Sequence, residues 1–492
     1  MLKLLAFDYG ASSGRAILGK YDGETLQLEE IHRFTNVPVM VDGTLYWDIL
    51  RLFHEMKQGI HQCKKIGHED FSGIGVDTWG VDFGLLGPSG ELLGNPVHYR
   101  DKRTDGMLEK ACGLIPKREI YRQTGTQFMQ INTLYQLLSM KSANSRILDN
   151  AATLLLIPDL FNYFLTGEKT SELSIATTTQ MFDWSKKGWT MDLLDKLGVS
   201  GTFLTPIIDP GSIIGSIRPE LCSELEIGSV PVIAVAGHDT ESAMMAVPAD
   251  HEGFAYLSCG TWSLLGMERN RPVINDASYA LDFTNEGGFG GTVSLHKNIM
   301  GLWIYQECRR TWNKEGRSTD YKQLEIQAMG AKAFTAFIDP DDPIFLAPAN
   351  MPARIVEYCI RTKQEIPKST GAFVRCILES LALKYRLTLE ELESITGDGI
   401  PVLHIVGGGS KDELLCRFTA NAIGRPVIAG PVEATAIGNI LCQMLALHEL
   451  GSLNEARSMI RRSFPTKEYL PVDRAMWEDA FERYKRIIQG GK

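Results

Sequence analysis

Apolar and polar positions alternate along the chain in a pattern that predicts repeated α/β units. Leu4-Leu5-Ala6-Phe7 runs into Asp8-Tyr9 and a small-residue turn, Gly10-Ala11-Ser12-Ser13-Gly14, after which Arg15 and a second apolar run, Ala16-Ile17-Leu18, follow. Short apolar runs on either side of a Gly/Ser turn read as a buried hairpin. The pattern returns about half a chain later, where Phe254–Ser258 and Trp262–Leu265 flank Cys259-Gly260-Thr261. Two such hairpins predict two similar halves with a boundary near residues 247–252. Further strands are expected over 73–77, 230–236 and 402–406. Helical spacing marks 159–166, then 370–395 through Phe373, Ile377, Leu381 and Tyr385, and a terminal helix through Trp477, Phe481, Tyr484 and Ile488. The strand at 402–406 leads through Gly407-Gly408-Gly409-Ser410 into a helix bearing Leu414, Leu415 and Phe418. Strand, glycine turn and helix make one α/β unit.

Length turns this pattern into two domains, since 492 residues exceed what one core usually serves. They are expected at 1–247 and 248–492. The chain is 44% hydrophobic and 22% charged, ordinary for a globular enzyme. A net charge of −10 argues against nucleic-acid and anionic-membrane partners. It leaves room for an anionic ligand held locally by backbone amides. The first apolar run is short and broken by Asp8, no stretch approaches the roughly 20 apolar residues of a membrane span, and the nine cysteines form no C-x-x-C pair. A cytoplasmic protein with reduced thiols is the expectation. Whether Cys359 and Cys376 pair stays open, as does a monomeric or homodimeric state.

Several loops carry candidate chemistry. Gly10–Gly14 fits G-x-S-x-G, but a hydrolase nucleophile elbow needs a helix after the turn and a strand follows here. The Walker A and protein-kinase motifs are absent. Two readings remain, a polar hairpin turn or a phosphate loop in which glycines admit the anion, Ser12 and Ser13 donate, and Arg15 supplies charge. Asp8 at the strand end suits Mg²⁺ held through water. Asp77-Thr78-Trp79-Gly80-Val81-Asp82-Phe83 is either a strand end or a sugar-binding surface, with an indole for stacking and carboxylates for hydroxyls. Gly237-His238-Asp239-Thr240 follows a buried strand, where open α/β sheets place ligands. Asp239 there is a helix N-cap, a functional carboxylate, or both, and the helix dipole would lower its pKa. Gly287–Gly291 reads as a loop. Gly407–Gly409 is a tight turn or a flat seat for a nucleoside. Asn298 and Gln306 flank Gly301-Leu302-Trp303, read as a helix start with one polar face.

Taken together and in order, DYGASSGR (8–15), GVDTWGVDFGLL (75–86), GHDTESAMMAVPA (237–249), YLSCGTWSLLGME (256–268), NIMGLWIYQE (298–307), IVGGGS (405–410) and VIAGPVEATAIGN (427–439) resemble the FGGY carbohydrate kinases. The central stretch PDLFNYFLTGEKTSE…ATTTQMFDW (158–184) fits as well, so the resemblance spans almost the whole chain. It implies an α/β fold of two similar actin/hexokinase-like (ribonuclease H-like) domains with the active site in the cleft between them. It further implies ATP as phosphoryl donor, Mg²⁺, and a ketose acceptor, L-rhamnulose phosphorylated at C1, with L-fuculose or a pentulose as the alternative. By the same resemblance Ala11, Ser12, Ser13, Gly14, Arg15 and Thr261 would surround the ATP phosphates, and Gln306 and Gly408 the nucleoside. Gly80, His238, Asp239, Thr240 and Asn298 would line the ketose site, with Asp239 as general base.

Overall fold

The computed structural model describes residues 1–250, 253–317, 320–346 and 350–490. His251 and Glu252 of the expected boundary lie outside them. The chain divides into two compact units. Unit 1 comprises Met1–Asp250, Glu268–Leu295 and Ala434–Phe464, and unit 2 comprises His251–Met267, His296–Glu433 and Pro465–Lys492.

Unit 1 is built on β1 (Leu2–Tyr9), β2 (Ser13–Tyr21), β3 (Leu26–Thr35), β4 (Gly73–Thr78), β5 (Ser212–Ser216) and β6 (Pro231–Ala234), in the order β5-β6-β4-β1-β2-β3. β1 pairs antiparallel with β2 and parallel with β4, and β6 runs parallel to β4. Unit 2 is built on β7 (Ala255–Cys259), β8 (Trp262–Arg269), β9 (Val293–Met300), β10 (Leu403–Val406), β11 (Val427–Ala429) and β12 (Lys467–Tyr469), with residues 268–269 of β8 and 293–295 of β9 falling in unit 1. Six successive strands of its sheet run β9-β8-β7-β10-β11-β12. Again the first strand pairs antiparallel with its hairpin partner and parallel with the next inward strand. An antiparallel edge strand closes both sheets, β5 on β6 and β12 on β11. The two hairpins seen in the sequence therefore head two halves of one strand order.

The central strands are apolar because both faces are covered. Leu4, Leu5, Ala6 and Phe7 of β1 are buried, as are Leu403, Ile405 and Val406 of β10. The helix Ala434–Ala446 belongs to unit 1 although it follows the unit 2 strands in sequence. It lies against the helix Asp239–Met245 so closely that a Cβ on Gly438 would overlap the carbonyl of Ser242. A side excursion of unit 1 forms its own core from Phe83, Leu134, Tyr135, Leu154, Leu156, Ile175 and Met181. The helix expected over 370–395 spans Thr370–Thr396 and buries Ile377, Leu381 and Tyr385, while Phe373 is only half-buried. The terminal helix Arg474–Gly490 buries Trp477, Phe481 and Tyr484.

All nine cysteines are free, so Cys359 and Cys376 do not pair. Among the described residues no helix is long and apolar enough to cross a membrane.

Candidate active site

In unit 1 the register of β1 assembles a charged cluster. Asp8 lies opposite Arg15 on β2 and opposite Asp77 on β4. The Arg15 guanidinium donates to the Asp8 carboxylate. Arg15 is thus already paired with a carboxylate in the free protein, which the sequence reading did not anticipate. The turn after β1 is closed by Gly10 N–H to Ser13 O (3.0 Å) and braced by Asn36, whose N–H donates to Ser12 O (3.0 Å) and whose Nδ2 donates to Gly10 O (3.0 Å). Ala11 and Ser13 are half-buried and Ser12 is exposed, so this loop tip is open to a ligand. Gly14 is not: it is buried, and a Cβ there would overlap the Phe34 ring. Its glycine serves packing rather than anion approach.

Asp77 is fully buried and accepts from Asn439 Nδ2 at 2.6 Å, while Asn439 Oδ1 accepts from Gln443 (2.8 Å). Burial, then the carboxylates of Asp8 and Asp239, hold the Asp77 carboxyl well above the usual range. Its other oxygen has no hydrogen-bond partner among the described residues. The sequence reading offered Asp77 and Asp82 to sugar hydroxyls, and the structure corrects both. Asp82 is fully buried and saturated by Trp47 Nε1 (2.6 Å), Trp79 Nε1 (3.0 Å), Gln136 Nε2 (3.0 Å) and the Tyr99 N–H (3.2 Å). Trp79 packs against Trp47 with centroids 4.1 Å apart and the rings tilted by 35°, instead of presenting a free face. This cage shapes the loop that carries Gly80. Val81 there has a φ of +67°, rare for a β-branched residue. Its carbonyl accepts from Thr133 Oγ1 (2.6 Å), and its N–H donates to Thr178 Oγ1 (3.3 Å).

The 237–240 segment sits where β6 gives way to a helix. Thr78 N–H donates to Gly237 O (2.8 Å), Gly237 N–H to Glu172 Oε2 (2.9 Å) and His238 N–H to Ser174 Oγ (3.1 Å). His238, not Asp239, is the N-cap residue; Asp239 is the first helical position, so the expected cap is one residue out. The carboxylate still lies at the positive end of the helix, its Oδ1 accepting from Thr240 Oγ1 (3.3 Å). Its pKa nevertheless moves upward, opposite to the dipole expectation. Burial is the main cause, His238 opposes it, and Asp8 adds to it. The Asp239 side chain keeps 31% of its surface exposed, enough to meet a ligand.

His238 contacts Glu286 through Nδ1 (2.6 Å) and approaches Asp239 Oδ1 through Nε2 (3.5 Å). Burial works against its charge, but the Glu286 carboxylate and then Asp239 outweigh it, and its pKa is raised to about 9. A Cβ on Gly80 would stand 3.4 Å from His238 Nε2, so the absent side chain leaves room beside that nitrogen. Unit 1 thus brings Gly80, His238, Asp239 and Thr240 together. Glu286, Glu172 and the Trp47–Gln136 cage were missed by sequence reasoning. Glu286 is one more polar position 48 residues away, and only the fold places it on the imidazole.

In unit 2, β7 and β10 run parallel and end side by side. The turn after β7 closes with Gly260 N–H to Trp262 O (2.8 Å), and the next helix start packs on it through Leu302 N–H to Gly260 O (3.0 Å) and Trp303 N–H to Thr261 O (3.2 Å). Thr261 and Gln306, on the helix Trp303–Lys314, are both half-buried. The helix begins at Trp303, within the start expected at 301–303, and Asn298, flanking it on the N-terminal side, lies on β9. After β10 the three glycines have separate reasons. Gly407 has a φ of +82°, Gly409 leaves no room for a Cβ against the Cys259 thiol, and Gly408 is exposed with open space before it. Gly408 is the one whose surface a flat ligand can reach.

Both units thus set carboxylates or glycine turns at the C-terminal ends of parallel strands, where open α/β sheets bind their ligands. The chain matches the N-terminal domain of the FGGY family of carbohydrate kinases over residues 3–246 and its C-terminal domain over 255–447. It belongs to that family and is a carbohydrate kinase. Among curated proteins it is similar to a rhamnulokinase of Bacteroides thetaiotaomicron, 44% identical over 486 residues (98% of this chain, 99% of the relative). It is likewise similar to one of Bacillus subtilis, 38% identical over 468 residues (95% of each). Among solved structures the fold is shared with a xylulose kinase of Lactobacillus acidophilus (TM-score 0.83, 17% identity, 100% of this chain and 98% of that one). It is shared too with Plasmodium falciparum glycerol kinase with ADP (TM-score 0.79, 16% identity, 100% and 98%).

Proposed function

We propose that this protein transfers the γ-phosphoryl group of ATP to the C1 hydroxyl of L-rhamnulose, giving L-rhamnulose 1-phosphate and ADP in L-rhamnose catabolism. The observation that carries the reading is the half-buried Asp239 carboxylate, part of its surface exposed at a helix start beside His238 and the bare Gly80. Near-full-length similarity to rhamnulokinases supports the choice of sugar.

Asp239 accepts the C1 hydroxyl proton as the oxygen attacks the phosphorus in line, a role that typically contributes about 10²–10⁴-fold. Gly80, His238, Thr240 and Asn298 hold the ketose. The amides and hydroxyls of Ala11–Ser13, Arg15 and Thr261 take the phosphates, and Gln306 and Gly408 the nucleoside. Arg15 must then share its charge between Asp8 and phosphate. Mg²⁺ suits the hard oxygen donors at the end of β1, and Asp8 would hold it through water. When bound it neutralises charge on the β- and γ-phosphates. We assign sugar binding and the first phosphate loop to 1–247 and nucleotide binding to 248–492, and place the reaction in the cytoplasm, where thiols stay reduced.

A coupled ADP-release assay over a ketose panel tests the reading. L-rhamnulose should give the highest kcat/KM. Preference for L-fuculose or a pentulose would move the substrate within the family, and a sugar-independent ATPase would remove the proposal.

A further inference from the structure

We infer that Glu286 is a positioning residue for this reaction, fixing the His238 imidazole so that Nε2 donates to a ketose oxygen beside Asp239. The inference rests on the kinase reading above and adds a residue to it that no comparison assigns. Glu286 lies on the strand Thr284–Gly287 and is buried. Its Oε2 meets His238 Nδ1 at 2.6 Å, a charge-assisted distance. With Nδ1 carrying its proton to Glu286, the free direction of the ring is Nε2. That nitrogen faces Asp239 Oδ1 at 3.5 Å, long for a hydrogen bond, and the space that a Gly80 side chain would fill. A sugar oxygen placed there receives a donor from His238 while its neighbouring hydroxyl meets Asp239.

The orientation is over-determined from the backbone side, because Glu172 accepts the Gly237 N–H and Ser174 the His238 N–H. The titratable groups acting on the imidazole are Glu286 on its strand and Asp239 and Glu241 on the helix that His238 caps, burial and the Glu286 carboxylate holding the Glu241 carboxyl well above the usual range. Gly80 and Thr178, on the remaining side, bring none. Glu241 is itself occupied by Ser294 Oγ (2.8 Å). Loss of Glu286 therefore removes the contact that both aims the ring and favours its cation.

The test compares wild type, Glu286→Gln and Glu286→Asp in two readouts. Imidazole NMR titration, assigned with His238→Gln, follows the charge directly and needs no turnover. Ketose KM, kcat and ATP KM are measured at about pH 6 and about pH 8. In Glu286→Gln, His238 should lose its charge near neutrality instead of about pH 9. Ketose KM should rise about tenfold or more at the higher pH and less at the lower, with ATP KM unchanged. Glu286→Asp should restore most of the loss. An unchanged His238 titration, or a KM rise equal at both pH values and accompanied by a rise for ATP, overturns the inference. Should Glu286→Gln not fold, wild type alone decides, since ketose KM must stay flat through neutrality and a rise there overturns it. Wild-type inactivity on every ketose would strike the kinase reading instead, and leaves the titration result standing on its own.

Discussion

At Asp239 the local and tertiary influences oppose each other. A helix N-terminus and a charged histidine favour the carboxylate, whereas burial and Asp8 favour the acid, and the acid gains. The active base is the ionised form, so activity must fall on the acid side, at a pH above that of an ordinary carboxylate. Asp239→Asn keeps the shape and removes the proton acceptor. It should lower turnover by at least about a hundredfold while calorimetry still shows ketose binding. Arg15→Ala should raise ATP KM and slow transfer with little change in ketose binding. Unchanged ATP kinetics would detach Arg15 from the phosphates and leave it as the partner of Asp8. The sequence identified both residues through local context, but neither the Arg15–Asp8 pair nor the sign of the Asp239 shift, which depend on strands and carboxylates remote in the chain.

Glycine supplies the clearest case at the scale of elements. Gly438 sits where the helices Ala434–Ala446 and Asp239–Met245 touch backbone to side, with the Ser242 carbonyl filling the place of a Cβ. Gly438→Ala must push the helices apart, at a cost near the upper end of the roughly 1–3 kcal/mol typical of overpacking. Urea denaturation should show that loss, and kcat should fall as well because the displaced helix begins with Asp239. A variant as stable and active as wild type would mean the contact relaxes freely. Helix and strand positions were largely readable here, since the apolar periods are strong, and the errors are confined to ends. Asp239 is one residue inside the helix rather than its cap. What periodicity could not supply is the helix 434–446 returning to unit 1, because amphipathic spacing shows that a face is buried and not against what.

For the whole molecule, buried acids set the pH dependence of stability. Burial pushes Asp82 and Asp412 up to about 6 and Glu172 and Glu379 up to about 7. A raised acid binds protons in the native state that the unfolded chain has already released, so stability falls as pH climbs from about 4 to about 7. His238 acts in the same direction: its stabilisation is full below about 6.5 and is lost as pH rises through about 9. Exposed acids with lowered values, such as Asp22 and Asp70, lose their contribution only below this window. The melting temperature should therefore be higher near pH 6 than near pH 9, and a rise over that interval would refute the assignment. Thiol titration offers a separate check. Nine groups should react in denaturant, and in the native protein only half-buried Cys112 and Cys222 should react quickly, with or without prior reduction.

The sequence by itself determined the two α/β halves, the hairpin and glycine turns, the family and the acidic residue at 239, because each is written in contiguous spacing. Local propensity and short motifs act over a few residues, and this is the range a sequence displays. Only the tertiary structure decided that Gly14 is a packing residue, that Asp82 is spent on two indoles, that the cysteines stay unpaired and that Glu286 holds His238. Those facts depend on which surfaces meet and how much water they exclude, and groups far apart in the chain share a dielectric only once it has folded.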